Sequence, residues 1–184
     1  LGINPFDEPN VQQAKDATRV LLAEYSSAGR LPAAEPDATS SNGTTTTLTT
    51  AARRRLGDRG ADAFLTTIGP GDYFTLLAYL GPDEDLAAAL REWRDAVHAR
   101  TGAATSIGMG PRYLHSTGQL HKGGANSGVF VLVTATPAAD VAIPGSPFSF
   151  GTLELAQALG DFASLEATGR RALHVHLPAP DAAL

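Results

Sequence analysis

The sequence predicts an α+β fold of the ferredoxin-like type, a split βαβ sandwich (βαββαβ) whose helices cover one face of an antiparallel sheet. After Gly71 the apolar patterns follow the order strand, helix, strand, strand, helix, strand. The second and third of these strands are joined by residues 110–124, a glycine-rich run that disfavours a helix. A doubly wound α/β sheet is the alternative, but it would require a helix between those two strands.

The chain before this domain is predicted to hold one helix and a linker. Asn10 is a suitable N-cap, and apolar residues at spacings of three and four then continue to about Ser26. Residues 30–48 contain proline, alanine, serine and four consecutive threonines without strand or helix periodicity, which predicts a flexible linker. The chain therefore divides into a helical part at 1–29, the linker, and an appended α+β domain at 49–184.

The elements of the appended domain follow from apolar periodicity and from glycine and proline boundaries. Residues 49–68 predict one or two short helices, in which three consecutive arginines cannot share a helix face and are expected to be solvated. The patterns place strands at 72–80, 103–109, 128–136 and 171–177, and helices at 82–101 and 150–166, the second helix interrupted near Gly160.

Composition restricts the classes of partner. With 184 residues, of which 43% are hydrophobic and 18% charged, the chain suits one soluble globular core. A net charge of -5 gives no broad basic field, so neither nucleic acid nor an anionic membrane is an expected partner. The lack of cysteine excludes disulfides, thiolate nucleophiles and cysteine-ligated zinc, and it is compatible with a cytoplasmic protein. No apolar run approaches the roughly 20 residues of a membrane helix.

Residues 110–124 carry the densest set of hydrogen-bond donors in the chain. The glycines of this run let its backbone approach a ligand closely, and its cationic and polar side chains suit an anion. The candidate binding residues are Arg112, His115, Ser116, Thr117, Gln119, His121 and Lys122.

Other chemistries fit this run less well. His115 and His121 are six positions apart and no carboxylate lies in the run, so we expect no metal and no cofactor. Ser116 is not part of a Gly-x-Ser-x-Gly elbow, and Lys122 does not complete a Walker loop. His174 and His176 alternate on the last predicted strand and are interpreted as an exposed pair.

The segment Asn-Pro-Phe-Asp-Glu-Pro-Asn-Val-Gln-Gln-Ala-Lys at 4–15 resembles the C-terminal signature of glucose-6-phosphate isomerases. That signature reads Phe-Asp-Gln, two further residues, Val-Glu, two more residues and Lys. Glu8 and Gln12 stand where the family has glutamine and glutamate. The resemblance implies that Lys15 assists ring opening at the sugar-phosphate site, and that residues 1–29 are the terminal helix of an upstream isomerase domain.

Residues 110–124, 126–130 and 148–151 are similar to the C-terminal region of bifunctional transaldolase/glucose-6-phosphate isomerases. This resemblance implies a cytoplasmic parent enzyme of glycolysis and gluconeogenesis that interconverts glucose 6-phosphate and fructose 6-phosphate. In the isomerase family the base carboxylate and the phosphate-binding hydroxyls lie upstream of the lysine signature. We therefore expect this chain to be a C-terminal fragment that is inactive without its partner, the remainder of the parent chain.

Two hypotheses describe the role of the appended domain. In the first, residues 110–124 form a lid or contact the substrate phosphate. In the second, the domain is a structural or small-anion-binding module without catalysis of its own. Its exposed sheet would then pair with another copy, which gives a homo-oligomer.

Overall fold

The computed structural model of the chain describes residues 7, 9–32, 34–81 and 83–181. The helices are α1 (Pro9–Ala28), α2 (Thr50–Leu56), α3 (Glu84–Thr101), α4 (Gly118–Gly123) and α5 (Phe150–Ala167), and two 3-10 segments span Ala61–Thr67 and Arg112–His115. The strands are β1 (Ala38–Thr39), β2 (Thr45–Leu48), β3 (Tyr73–Tyr79), β4 (Ala104–Met109), β5 (Gly128–Ala135) and β6 (Arg171–Leu177). Within the described ranges, no helix is long and apolar enough to cross a membrane.

The six strands form one sheet in the order β1-β2-β6-β5-β3-β4. β3 runs parallel to both β4 and β5, and β5 runs parallel to β6, whereas β2 is antiparallel to β6. The predicted combination of helices with a sheet is confirmed. The ferredoxin-like arrangement is wrong, because that fold requires antiparallel central strands and these are parallel. The parallel central strands match the doubly wound alternative instead.

The connection between β4 and β5 explains this difference. The sequence predicts a connection without a helix there, but the chain forms the 3-10 segment at Arg112–His115 and then α4. Together these two short helical pieces carry the chain across the sheet, so that β5 starts from the same end as β4 and runs parallel to β3. Glycines at both ends of α4 concealed this helix in the sequence pattern.

Helices cover both faces of the central sheet. On one face, Phe74, Leu76 and Ala78 of β3 join a core with apolar residues of α2 and α3. On the other face, Leu77 and Tyr79 join a second core with α5 and the 3-10 segment before α4. Burial on both faces explains why β3 and β5 are almost continuously apolar instead of alternating.

α1 packs along α5 at a close approach made possible by Gly160. A β-carbon built on Gly160 would lie 2.7 Å from the Thr18 hydroxyl oxygen and 3.2 Å from the Ala14 carbonyl oxygen. α5 passes through Gly160 without a break, so the predicted interruption is wrong. Asn10 lies inside α1, which begins at Pro9, so its predicted position as the N-cap is also wrong. Of the isomerase-like signature, residues 4–6 and 8 lie outside the described part of the chain.

Residues 30–48 are not wholly a linker. β1 pairs with β2, and β2 extends the sheet along β6. The Asp37 carboxylate accepts hydrogen bonds from the Arg53 guanidinium at 2.7 and 2.8 Å and from the Leu48 amide at 2.7 Å. The linker prediction is therefore wrong from Asp37 onward, because β-branched threonines suit a strand even without apolar alternation.

Candidate functional site

The side chains of residues 110–124 do not converge on one point. Arg112, His115, Ser116 and Thr117 are exposed, whereas His121 and Lys122 are buried with 4% and 2% of their surfaces accessible. Gln119 is half-buried between them. The run therefore presents one polar side to solvent and inserts the other into the protein interior.

The Lys122 ammonium is buried against the Asp161 carboxylate of α5. The Tyr79 hydroxyl donates to the second Asp161 oxygen at 3.3 Å, and within the described residues Lys122 Nζ and Asp161 Oδ1 have no further hydrogen-bond partner. Burial raises the pKa of Asp161 and lowers the pKa of Lys122. The Lys122 ammonium and the Asp161 carboxylate are in contact, so the net charge of the pair is zero whichever of the two groups holds the shared proton. Lys122 thus fastens α4 to α5 instead of facing a ligand.

His121 packs in an aromatic cluster beside this ion pair. Its ring lies 5.8 Å from Tyr73 and 5.2 Å from Phe130, and the Tyr73 hydroxyl is 3.1 Å from its Nδ1. Burial, with the positive charges of Lys122 and Arg170 nearby, lowers the pKa of His121 to about 4. His121 is therefore neutral near pH 7 and belongs to the core.

Gln119 connects α4 to the start of α1. Its amide nitrogen donates to Asn10 Oδ1 at 2.9 Å, and its amide oxygen accepts from the Asn10 backbone N–H at 3.2 Å. This paired contact joins residues 109 positions apart and holds α1 beside residues 110–124. Lys15 is consequently close to that run, although the sequence suggested that a flexible linker keeps them apart.

Lys15, Arg19 and His115 line one cleft of about 240 Å³ between α1 and the 3-10 segment at Arg112–His115. We call it the Lys15 cleft. Its remaining walls are formed by Val11, Ala14, Thr18, Pro111, Leu114 and Gln157. No carboxylate is among these lining residues, so the local charge is positive. Arg19 pairs with Asp16 at 2.7 Å, but both side chains are more than half exposed, and such a pair is easily exchanged for another anion.

A larger crevice of about 680 Å³ opens at the carboxyl ends of β3 and β5. We call it the β3–β5 crevice. Pro111 and Gln157 line both this crevice and the Lys15 cleft, so the two cavities are neighbours with a common wall. This crevice is not predictable from the sequence, because its position depends on parallel strands. Only the turn-rich residues after each strand, at 81–83 and 137–141, hinted at it.

No known protein-family profile matches this chain, and no curated protein matches it significantly. Among solved structures it is similar to a hypothetical protein, TT0462, from Thermus thermophilus, with a TM-score of 0.51 and 20% identity. The similarity covers 60% of this chain and 31% of that one, so the chain spans about a third of that protein's length. At this identity the likeness concerns the fold alone.

His174 and His176 form a hydrogen-bonded group with threonines of the neighbouring strand. Thr134 Oγ1 lies 2.8 Å from His174 Nε2 and 2.8 Å from His176 Nδ1. Burial, with His176 as a smaller cause, lowers the pKa of His174 to about 4. Only 8% of His174 is accessible, so the expected exposed pair is wrong for this residue. Throughout the described residues, no group of three or more histidine, aspartate or glutamate side chains is arranged to hold a metal ion.

Proposed function

We propose that this chain is the C-terminal part of a cytoplasmic glucose-6-phosphate isomerase, in which Lys15 assists opening of the sugar ring. One observation carries the proposal. Lys15 belongs to the segment that resembles the isomerase signature, and His115 belongs to the separate segment that resembles bifunctional transaldolase/glucose-6-phosphate isomerases. These two segments, far apart in sequence, line the same cleft.

The charge of the Lys15 cleft suits a sugar phosphate. The ammonium of Lys15 would donate a proton to the ring oxygen as the ring opens, and the guanidinium of Arg19 with the imidazole of His115 would hold phosphate oxygens. Among the described residues that line the cleft there is no carboxylate to move the proton between adjacent sugar carbons. At about 240 Å³ the cleft is also smaller than most small-molecule sites, which begin at about 300 Å³. The proposal therefore assigns the base and the remaining walls to the rest of the parent chain.

Calorimetric titration of the chain with fructose 6-phosphate and with inorganic phosphate tests this proposal. Lys15→Ala and His115→Ala should each weaken binding about tenfold or more, since a lost hydrogen bond to a charged group costs about 1.5–3 kcal/mol. Arg91→Ala is the matched control, because Arg91 is an exposed cation on α3, on the opposite face of the sheet. Equal loss in the control, or none in the two cleft variants, would contradict the proposal.

The position of β4 favours a second role, assembly of a homo-oligomer. β4 ends the sheet and pairs only with β3 among the described strands, and its residues are mostly half-exposed or exposed. An unpaired edge can accept a strand from another copy. Light scattering should then show a dimer that Thr105→Pro converts to a monomer, since proline cannot donate a backbone hydrogen bond. A wild-type chain that is monomeric at high concentration excludes this role.

A further inference from the structure

The β3–β5 crevice lies where the chain leaves the sheet in opposite directions. β3 leads to α3, which packs on one face, and β5 leads to α5, which packs on the other. The two connections diverge and leave a gap between the carboxyl ends of these adjacent parallel strands. In open parallel sheets, this point of divergence is where ligands bind.

The walls of the crevice are apolar, and its size suits a small molecule. Its volume of about 680 Å³ falls within the roughly 300–1,000 Å³ of small-molecule sites. Leu80, Leu86 and Leu153 contribute to the walls. Val141 and Phe150, which also line the crevice, leave 64% and 56% of their surfaces exposed, and apolar side chains exposed together beside a cavity are typical of a ligand-binding surface.

The charged residues that line the crevice within the described ranges are all acidic, namely Asp83, Asp140 and Glu154. Asp83 accepts a hydrogen bond from the Leu86 amide at 2.9 Å, and Asp140 accepts one from the Gly151 amide at 2.8 Å, so both cap helices. Glu154 has no such partner in the described part of the chain. Burial raises the pKa of its carboxyl group, a cost that a cation beside the carboxylate would offset.

We propose that the β3–β5 crevice binds a small organic cation with an apolar body, whose ammonium pairs with Glu154 while the body packs against Phe150 and Val141. The charge pattern separates this site from the Lys15 cleft. A sugar phosphate would be repelled by the three carboxylates of the crevice, and an amine would be repelled by Lys15 and Arg19. The site is independent of the proposed isomerase function.

Titration of the isotope-labelled chain with 2-phenylethylamine, followed by NMR, tests this site. The amine should produce saturable shifts at residues 79–83, 135–141 and 150–157. Glu154→Gln should weaken its binding about tenfold, as expected for one lost charge-assisted hydrogen bond. The matched control is Glu92→Gln, at an exposed glutamate on α3, which should bind the amine as the wild type does. The charge-reversed probe 3-phenylpropionate should not bind.

Saturable binding that survives Glu154→Gln unchanged would overturn the proposal, as would equal binding of 3-phenylpropionate or no binding of the amine at all. If circular dichroism shows that Glu154→Gln does not fold, Phe150→Ser replaces it as the test variant and should weaken amine binding. Phe150 is exposed at the first position of α5, so this variant should still fold. Lys15→Ala should leave amine binding intact, and Glu154→Gln should leave phosphate binding intact. The proposal of an amine site and the proposal of a phosphate site can therefore be contradicted independently of each other.

Discussion

At the scale of single residues, the most consequential finding is that Lys122 faces the interior. Its residue type and its glycine-rich surroundings predicted a ligand-binding cation, but its ammonium is held by Asp161 inside the protein. A buried ion pair stabilises a protein little more than apolar residues of similar volume would. Loss of one partner, however, leaves the other charge buried and unpaired. The pair thus acts as a constraint on how α4 seats against α5.

We expect Lys122→Met to destabilise the chain by about 3–5 kcal/mol in urea unfolding, because Asp161 would remain buried without a counter-charge. The double variant Lys122→Met/Asp161→Asn should recover most of the lost stability, since the asparagine can still accept a hydrogen bond from the Tyr79 hydroxyl. Lys15→Met supplies the control, as the same substitution at an exposed lysine, and should change stability by less than about 0.5 kcal/mol. A Lys122→Met variant as stable as this control would show that leaving Asp161 without its counter-charge costs nothing.

His121 gives the chain a predictable response to acid. Its pKa falls from the ordinary 6.5 to about 4 in the folded protein, so below pH 6.5 the unfolded chain binds a proton that the folded chain does not. Stability should therefore decrease as the pH falls from about 6.5 to about 4, by about 2 kcal/mol at pH 5 for this group. His121→Phe should lose correspondingly less stability between pH 7 and pH 5, and the exposed His115→Gln should follow the wild type. Identical pH profiles for wild type and His121→Phe would refute this assignment.

At the scale of elements, the contact of α1 with α5 places Lys15 in its cleft. Val11 and Ala14 are each 1% exposed, and the glycine at position 160 removes the side chain that would hold the two helices apart. Gln119 then fixes the start of α1. The cleft therefore depends on helix packing as much as on the residues that line it.

Gly160→Ala should destabilise the chain by about 1–3 kcal/mol and weaken phosphate binding, because the new methyl group would press on the backbone of α1. Thermal unfolding and the phosphate titration measure the two effects. Gly81→Ala is the comparison, since a β-carbon at Gly81 meets no atom within 4 Å. If both variants retain wild-type stability, α1 is not held tightly against α5.

The apolar patterns identified the types and approximate bounds of β3 to β6, α3 and α5, because period and turn residues are local properties. They could not identify strand direction, which depends on α4, a helix of 6 residues bounded by glycines. β2 was missed because its consecutive threonines show no apolar alternation. In the candidate site, Lys15 and His115 were singled out in the sequence. Their proximity could not be predicted from the sequence, because it depends on the contact between Asn10 and Gln119 across the fold.

At the scale of the whole molecule, the structure is a sheet between two helical layers whose cavities open near the carboxyl ends of the central strands. Parallel strands bring the connections after β3 and β5 to the same edge. α1 adds a cationic cleft beside that edge, and Pro111 and Gln157 belong to both cavities. The molecule therefore places a positive and a negative cavity side by side.

The purified chain should not interconvert glucose 6-phosphate and fructose 6-phosphate, because the part of the chain that the structure describes brings no carboxylate to the Lys15 cleft to carry the proton between sugar carbons. A coupled assay of glucose 6-phosphate formation measures this. If the proposed parent isomerase is correct, Lys15→Ala should lower its kcat, whereas Arg91→Ala should not. Turnover by the chain alone at the rate of the parent enzyme would place the base inside this chain.

The side chain of Gln157 has a consequence for any pair of ligands that occupy the two cavities together. Gln157 lines both cavities, so a ligand that fixed it from one cavity would change the surface offered to the other. By thermodynamic reciprocity, whatever factor an amine imposes on phosphate affinity, phosphate imposes on amine affinity. One amide side chain would then couple two chemically opposite ligands, and Gln157→Ala would uncouple them without removing either site.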